Sequence, residues 1–248
     1  MIKFFRKIRQ NLLTEGKTGK YLKYAIGEII LVMIGILLAL QVNNWNEQRK
    51  IVQKEIQVLQ ALKEDIKSNI NNLNKGIGEL NRMKSNNIEV IKFFEQKTPY
   101  NESMNQYFFN FLSFWDPDFS YASFENLKDQ GVDLISNVDL RKSIINLFDV
   151  DMDILDIADM ARMHILFENM VIPIQRKYFY RDHTSMEPWS TTPFLPLNYN
   201  DMIHDMEFYS VCTEIAYRQT RSIQLYKAFN LNAESLVKEI NSEIKNLE

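Results

Sequence analysis

Cysteine occurs once in this chain, at Cys212, and histidine three times, at His164, His183 and His204. One thiol cannot close an intrachain disulfide, and three scattered imidazoles make no Cys/His metal spacing. There is no P-loop, no H-E-x-x-H and no G-x-S-x-G, and no local context supports a Ser/His/Asp triad. Glycine (7) and proline (6) are scarce among 248 residues. Both punctuate turns and break helices, so their scarcity predicts long uninterrupted helices. Period-two alternation of the kind that marks strands is absent, as is any convincing internal repeat. The expectation is an all-α protein with no catalytic residue, cofactor or metal.

What the chain does have is a charge asymmetry and one long apolar run. Residues 1–23 carry Lys3, Arg6, Lys7, Arg9, Lys17, Lys20 and Lys23 against Glu15, a net +6, and the whole-chain charge of −3 leaves −9 for the remainder. A basic start beside an acidic remainder suits a membrane surface and does not suit nucleic acid, whose phosphates the acidic part would repel. Residues 29–46 hold no charge, and their centre reads IILVMIGILLAL. A helix from about Tyr24 to Val42 approaches the ~20 residues needed to cross a ~30 Å hydrocarbon core. Tyr21 and Tyr24 on one side and Trp45 on the other sit where interfacial aromatics belong, and the excess of Lys/Arg before the span puts the N-terminus in the cytoplasm. A cleaved secretory signal is the rival reading, but the basic region is long and residues 40–44 lack an A-x-A site.

The expected organisation is a basic amphipathic segment over 1–23, a transmembrane helix over 24–44 and an extracytoplasmic helical domain over 45–248. MIKFFRKIRQNLL places Ile2, Phe5, Ile8 (or Arg9), Leu12 and Leu13 on one side, so Lys3, Arg6, Lys7 and Arg9 are candidates for contact with lipid headgroups. Within the span, Gly27, Gly35 and Ala39 fall on one i+4 row of the kind that lets helices approach closely. Glu28 is a carboxylate inside the predicted span. It is read either as an interfacial group paired with Lys20 or Lys23, or as a functional contact to another helix or a ring in an oligomer.

Beyond Trp45 no proline occurs until Pro99, and apolar residues repeat in heptads. Ile56, Ile70, Ile77 and Ile91 take one seam position, and Leu59, Ile66, Leu73, Leu80 and Phe94 the next; Lys63, Lys84 and Asn87 interrupt. This predicts a coiled-coil-like stalk continuous with the span, bending at Gly76 or Gly78. A second helix is expected from Ser103 to Trp115, a third from Tyr121 to Gln130 that stops at Gly131, and a long fourth from Asn137 to Tyr180, kinked by Pro173. Residues 181–199 read as a loop, and the last helix as Asp201–Leu247 with Met206 on its inner side. The lengths fit an elongated up-down-up-down bundle.

MIKFFRKIRQ, KYLKYAIGEIILVMIGILLALQVNNWNEQRK and SFENLKDQGVDLISNVDLRKSIINLFD together make the chain resemble an uncharacterised family of small membrane proteins from Bacteroidota, end to end and most closely in the first 50 residues. The resemblance implies a bacterial inner-membrane location with a periplasmic domain, and carries no activity.

Two clusters remain. Asp149-x-Asp151-x-Asp153 begins like a calcium loop, but position six is Ile154 rather than glycine and position twelve is Met160 rather than glutamate, so an EF-hand is rejected. Asp149, Asp153 and Asp156 share one helix face with Asp159 nearby, read as a solvated acidic surface, the alternative being a site for a cation or basic partner. Aromatics crowd residues 107–124 and 178–199. They either close one end of the bundle as a small core or, through Phe111, Phe114, Trp115, Trp189 and Phe194, present a surface to a protein partner. The function expected is a non-catalytic, membrane-tethered scaffold that forms a homo-oligomer or holds a periplasmic or membrane protein partner. The alternatives are an ion pathway or mechanically gated channel lined by Glu28 and Gln41, and an enzyme or ligand-binding domain with a pocket near His183 or His204.

Overall fold

The computed structural model describes residues 18–181, 184 and 192–248. Lys3, Arg6, Lys7, Arg9, His183 and Trp189 lie outside the described residues. The chain is all-α, with one two-residue strand pair among the described residues, and it divides into a first unit ending at Lys54 and a second, Glu55–Glu248.

Helix α1, Thr18–Gln96, runs 79 residues and supplies both units. It ends just short of Pro99, as its sequence requires, and Lys97 takes the left-handed terminal position at φ 48°. From residue 55 its buried positions are Glu55, Leu59, Leu62, Ile66, Asn69, Leu73, Gly76, Leu80, Met83, Asn87, Val90 and Phe94. The steps alternate four and three, which is a heptad seam. The seam is not quite the one expected. Leu59, Ile66, Leu73, Leu80 and Phe94 are central, but Ile56, Ile70, Ile77 and Ile91 flank the core half-buried. Glu55, Asn69, Gly76 and Asn87 hold central positions because each meets a particular partner from elsewhere in the chain.

Those partners trace the path of the second unit. After a 3-10 turn over Glu102–Phe108, residues 109–121 descend along α1 without forming the expected helix to Trp115. Side chains serve their backbone instead: Gln219 donates to Phe111 O and Ser113 O at 3.3 and 2.9 Å, and α1 supplies others. Asn86 Nδ2 donates to Phe109 O at 3.0 Å, Asn72 Oδ1 accepts from Asp118 N at 3.2 Å, and Asn69 both donates to Ser120 O at 3.0 Å and accepts from Ser120 N at 2.8 Å. Gly76 seats the Trp115 indole so closely that an added Cβ would lie 2.6 Å from its Cδ1. Asp65 then accepts from Ser120 Oγ and Ser123 N at 2.9 and 2.8 Å, capping α2 (Ala122–Gln130). Gly131, at φ 95°, ends α2 as expected.

Helix α3 spans residues 138–178. Asn137 caps it by accepting from Asp139 N and Leu140 N, and Ser136 donates from its backbone N and its hydroxyl to Glu55 Oε1 at 2.7 and 2.9 Å. The inward positions of α3 (Leu140, Ile144, Leu147, Met152, Leu155, Asp159, Met163, Phe167, Val171, Ile174, Tyr178) recur about every 3.8 residues. An α-helix turns every 3.6, so a plain α-helix would rotate this stripe out of the core. Three π-helical turns, Leu147–Asp151, Ile154–Met160 and Phe167–Val171, widen the winding and hold it in phase. Pro173 falls in the first turn of the closing segment Ile172–Tyr178, directly after a π turn, where its missing N–H is least costly.

Phe179–Tyr180 (β1) pairs antiparallel with Leu195–Pro196 (β2), Phe179 opposite Pro196. These residues were expected as helix end and loop. The last helix is broken: a short turn, α4 (Tyr199–Met202), precedes α5 (Met206–Leu247), because Asp205 leaves helical geometry and caps α5 through Glu207 N at 2.8 Å. Met206, at the first position after that cap, is 66% exposed rather than inward. Asn87 to Cys212 O, Asn230 to Asn74 and Lys63 to Asn241 set α5 antiparallel to α1, and Asn137 to Glu243 and Asn232 to Asp151 set it antiparallel to α3. The up-down-up-down path is therefore present in the second unit. One core groups Leu59–Met83 positions with α2, the start of α3 and the end of α5; the other groups Val90 and Phe94 with Phe108, Phe111, the end of α3 and the start of α5.

The two helical glycines Gly76 and Gly78 separate packing from propensity. Gly78→Ala meets nothing within 4 Å and should stabilise by about 0.5–1 kcal/mol. Gly76→Ala must displace Trp115 and should destabilise by about 1–3 kcal/mol. Urea midpoints of the two variants in mild detergent should move in opposite directions.

Candidate functional site

In the first unit the functional candidates lie on a bare apolar helix. From Ile29 to Val42 every large apolar side chain is between 48% and 65% exposed, with none buried. The best window has a mean hydropathy of 2.4, and the helix is long and apolar enough to cross a membrane. Gly27, Gly35 and Ala39 lie exposed on their common row, and nothing comes within 4 Å of a Cβ built at either glycine. Glu28 is half-buried at the start of the run.

In the second unit the aromatic candidates separate. Phe111 is fully buried, with ring centroids 5.9 Å from Phe108, 5.4 Å from Phe179 and 6.4 Å from Phe208. It belongs to the core and offers no surface to a partner; its contact with Phe179 is edge-to-face, an arrangement from which aromatic pairs gain. Trp115 is half-buried against Gly76. Phe114 lies at the core margin, edge-on to His164 at 4.9 Å and to Phe167 at 5.3 Å. Phe194 stacks under the Arg181 guanidinium, 4.0 Å from its centroid, and meets Phe179 edge-on. His164 Nε2 lies 3.3 Å from Asp116 Oδ2. His204 is exposed, with Nδ1 2.7 Å from Asn200 O within its own turn.

One group departs from its sequence reading. Asp159 is 2% exposed and does not share the solvated face of Asp149, Asp153 and Asp156. It occupies an inward stripe position inside a π turn. Burial pushes its carboxyl above the usual carboxylate range, against the pull of the Ser222 hydroxyl and of Arg221 and Arg218. Its Oδ2, Arg221 Nε and Trp115 Nε1 are buried without a hydrogen-bond partner. The signal available in the sequence was the step from Leu155 to Asp159 to Met163, which continues the apolar stripe through an acid. Among the described residues no group of three His, Cys, Asp or Glu could hold a metal ion.

Together these features define an all-α protein with one helix able to cross a bilayer and a bundle held by buried polar contacts. A family model spans residues 28–220, and the chain belongs to that family, a family of unknown function designated DUF6090. The match starts at Glu28, just before the apolar run, and covers most of the bundle. No curated protein matches the chain, and no solved structure does.

The α4–α5 corner gives a pH dependence. Asp205 accepts from Lys177 Nζ at 2.7 Å and from the Tyr178 hydroxyl, as well as from Glu207 N. Lys177, then Tyr178, hold its carboxyl down to about 2. A depressed folded-state value stabilises the fold above the ordinary carboxylate value of 3.8 and loses that contribution as pH falls toward 2. Asp205→Asn should flatten stability between pH 4 and pH 2, read from thermal unfolding at stepped pH. An unchanged slope would remove Asp205 from the acid response.

Proposed function

We propose that the chain is a membrane-anchored, non-catalytic helical scaffold that self-associates through its membrane helix. The observation that carries this reading is the apolar surface of residues 29–42, none of it buried, a surface that water does not tolerate and that lipid or another helix covers. The basic residues before the span orient it with the N-terminus in the cytoplasm, which places residues 45–248 in the periplasm of a bacterial inner membrane. Without a hydrophobic force between helices in lipid, association depends on close packing and polar contacts. The open row at Gly27, Gly35 and Ala39 allows the first, and Glu28 beside it supplies the second.

A second reading rests on the same carboxylate: several copies would set Glu28 around an ion pathway. Mass photometry of the protein in native-like nanodiscs tests the first. A defined multiple of 29.4 kDa is expected, with Gly35→Leu shifting the distribution toward single copies. Single copies in the wild type would end the self-association reading, and a second co-purifying protein would replace it with an adaptor. Bilayer conductance that ignores Glu28→Gln would end the ion-pathway reading.

A further inference from the structure

We propose that Asp159 is a proton-sensitive latch on α3: while it is neutral the π turns stay packed against α5, and when it ionises residues 147–171 open more readily.

The geometry behind this is a mismatch of charge and winding at one place. The wide turn Ile154–Met160 exists to keep the α3 stripe in phase, and such a turn persists only while tertiary contacts hold it. At its inward position stands an acid instead of a hydrophobe. From α5 it is faced by Ser222, by Arg218 and Arg221, and by the fully buried Tyr226; from residues 109–121, Asp116 acts on the same tyrosine. The compensating charge is incomplete. Arg218 Nε is already engaged by Glu214 at 2.7 Å, and Arg221 Nε finds no hydrogen-bond partner. Asp116 adds negative charge, and its Oδ2 lies 3.3 Å from His164 Nε2. An ionised Asp159 therefore keeps one oxygen dry and unpartnered, a state that costs more than the neutral acid.

The direction follows from linkage. The packed form holds the proton more tightly than an opened form with an ordinary carboxyl. Packing is therefore strongest at low pH and weakens as pH rises from 3.8 through the raised value. Each pH unit of difference between the two forms is worth tenfold in the opening equilibrium.

Hydrogen exchange of the full chain in nanodiscs, from pH 4.5 to 8 and corrected for intrinsic rates, tests the latch. Protection across residues 147–171 should fall on the order of tenfold toward the alkaline end, while residues 59–80 of α1 stay level. Asp159→Asn should hold 147–171 at the protected level throughout. Glu214→Gln, which frees Arg218 to face the carboxylate, should move the midpoint to lower pH, and it provides the reading if the Asp159 variant fails to fold. A wild-type profile without pH dependence overturns the proposal. So does an Asp159→Asn profile that keeps the dependence, which would assign it to His164 and Asp116, or a Glu214→Gln midpoint that does not move.

Discussion

The backbone of residues 109–121 has to be satisfied without a helix or sheet of its own, and the second unit is arranged around that need. An unpaired buried N–H or C=O costs about as much as a lost hydrogen bond. In this chain the missing partners are side chains of α1 and α5, placed at the positions where the descending segment passes. Gln219 of α5 serves the Phe111 and Ser113 carbonyls, Asn86, Asn72 and Asn69 of α1 serve it further along, Asp65 holds the Ser120 hydroxyl where it ends, and Gly76 leaves room for its tryptophan. Asn69 and Gly76 stand in the apolar seam of α1 and weaken it, while Asp65, Asn72 and Asn86 flank it. Their presence there is explained by a segment far away in the sequence, so α1 alone would read as a poorer coiled coil than it is.

Two long helices of the bundle, α1 and α3, solve opposite problems of winding. In α1 the inward residues recur every 3.5 positions, slightly less than one α-helical turn, the spacing that coiled coils accept by gentle supercoiling. In α3 they recur about every 3.8, more than a turn, and the helix accommodates that by local widening at three places. The cost of the widening falls on backbone geometry, and the second of these turns also carries the one buried acid of the stripe.

How much of this was legible depended on whether the determining contact was local. The end of α1 before Pro99, the stop at Gly131 and the cap at Asn137 rest on residues within a few positions of the feature, and the structure has them as read. The expected helix from Ser103 to Trp115 rested on local aromatic spacing, and the partners that hold the segment extended stand more than twenty residues back. The isoleucines Ile56, Ile70, Ile77 and Ile91 were read as a central seam because they are apolar, whereas the true centre includes Glu55 and Asn69, whose partners Ser136 and Ser120 no periodicity discloses. Among the features tied to candidate site residues, the apolar run of the membrane helix was legible because composition alone marks it. Phe111 was misplaced because an aromatic run looks the same whether it faces a core or a partner. Asp159 was grouped with the solvated acids because standard helical spacing carries it past the π turns that turn it inward.

The ladder of side chains on α1 also limits how the bundle can respond to force. Sliding α1 along its axis by one heptad would bring Leu62 or Gly76 to the place of Asn69, and neither can pair with the Ser120 N–H and carbonyl. Each group so stranded costs about 1–3 kcal/mol, and the same slip puts Leu80 or Phe94 at the place of Asn87 and strands the Cys212 carbonyl as well. Within the second unit α1 is therefore keyed rather than greased: a pull on it is resisted at several rungs at once, and the bundle takes up the load as one body instead of letting the helix travel through it as a piston.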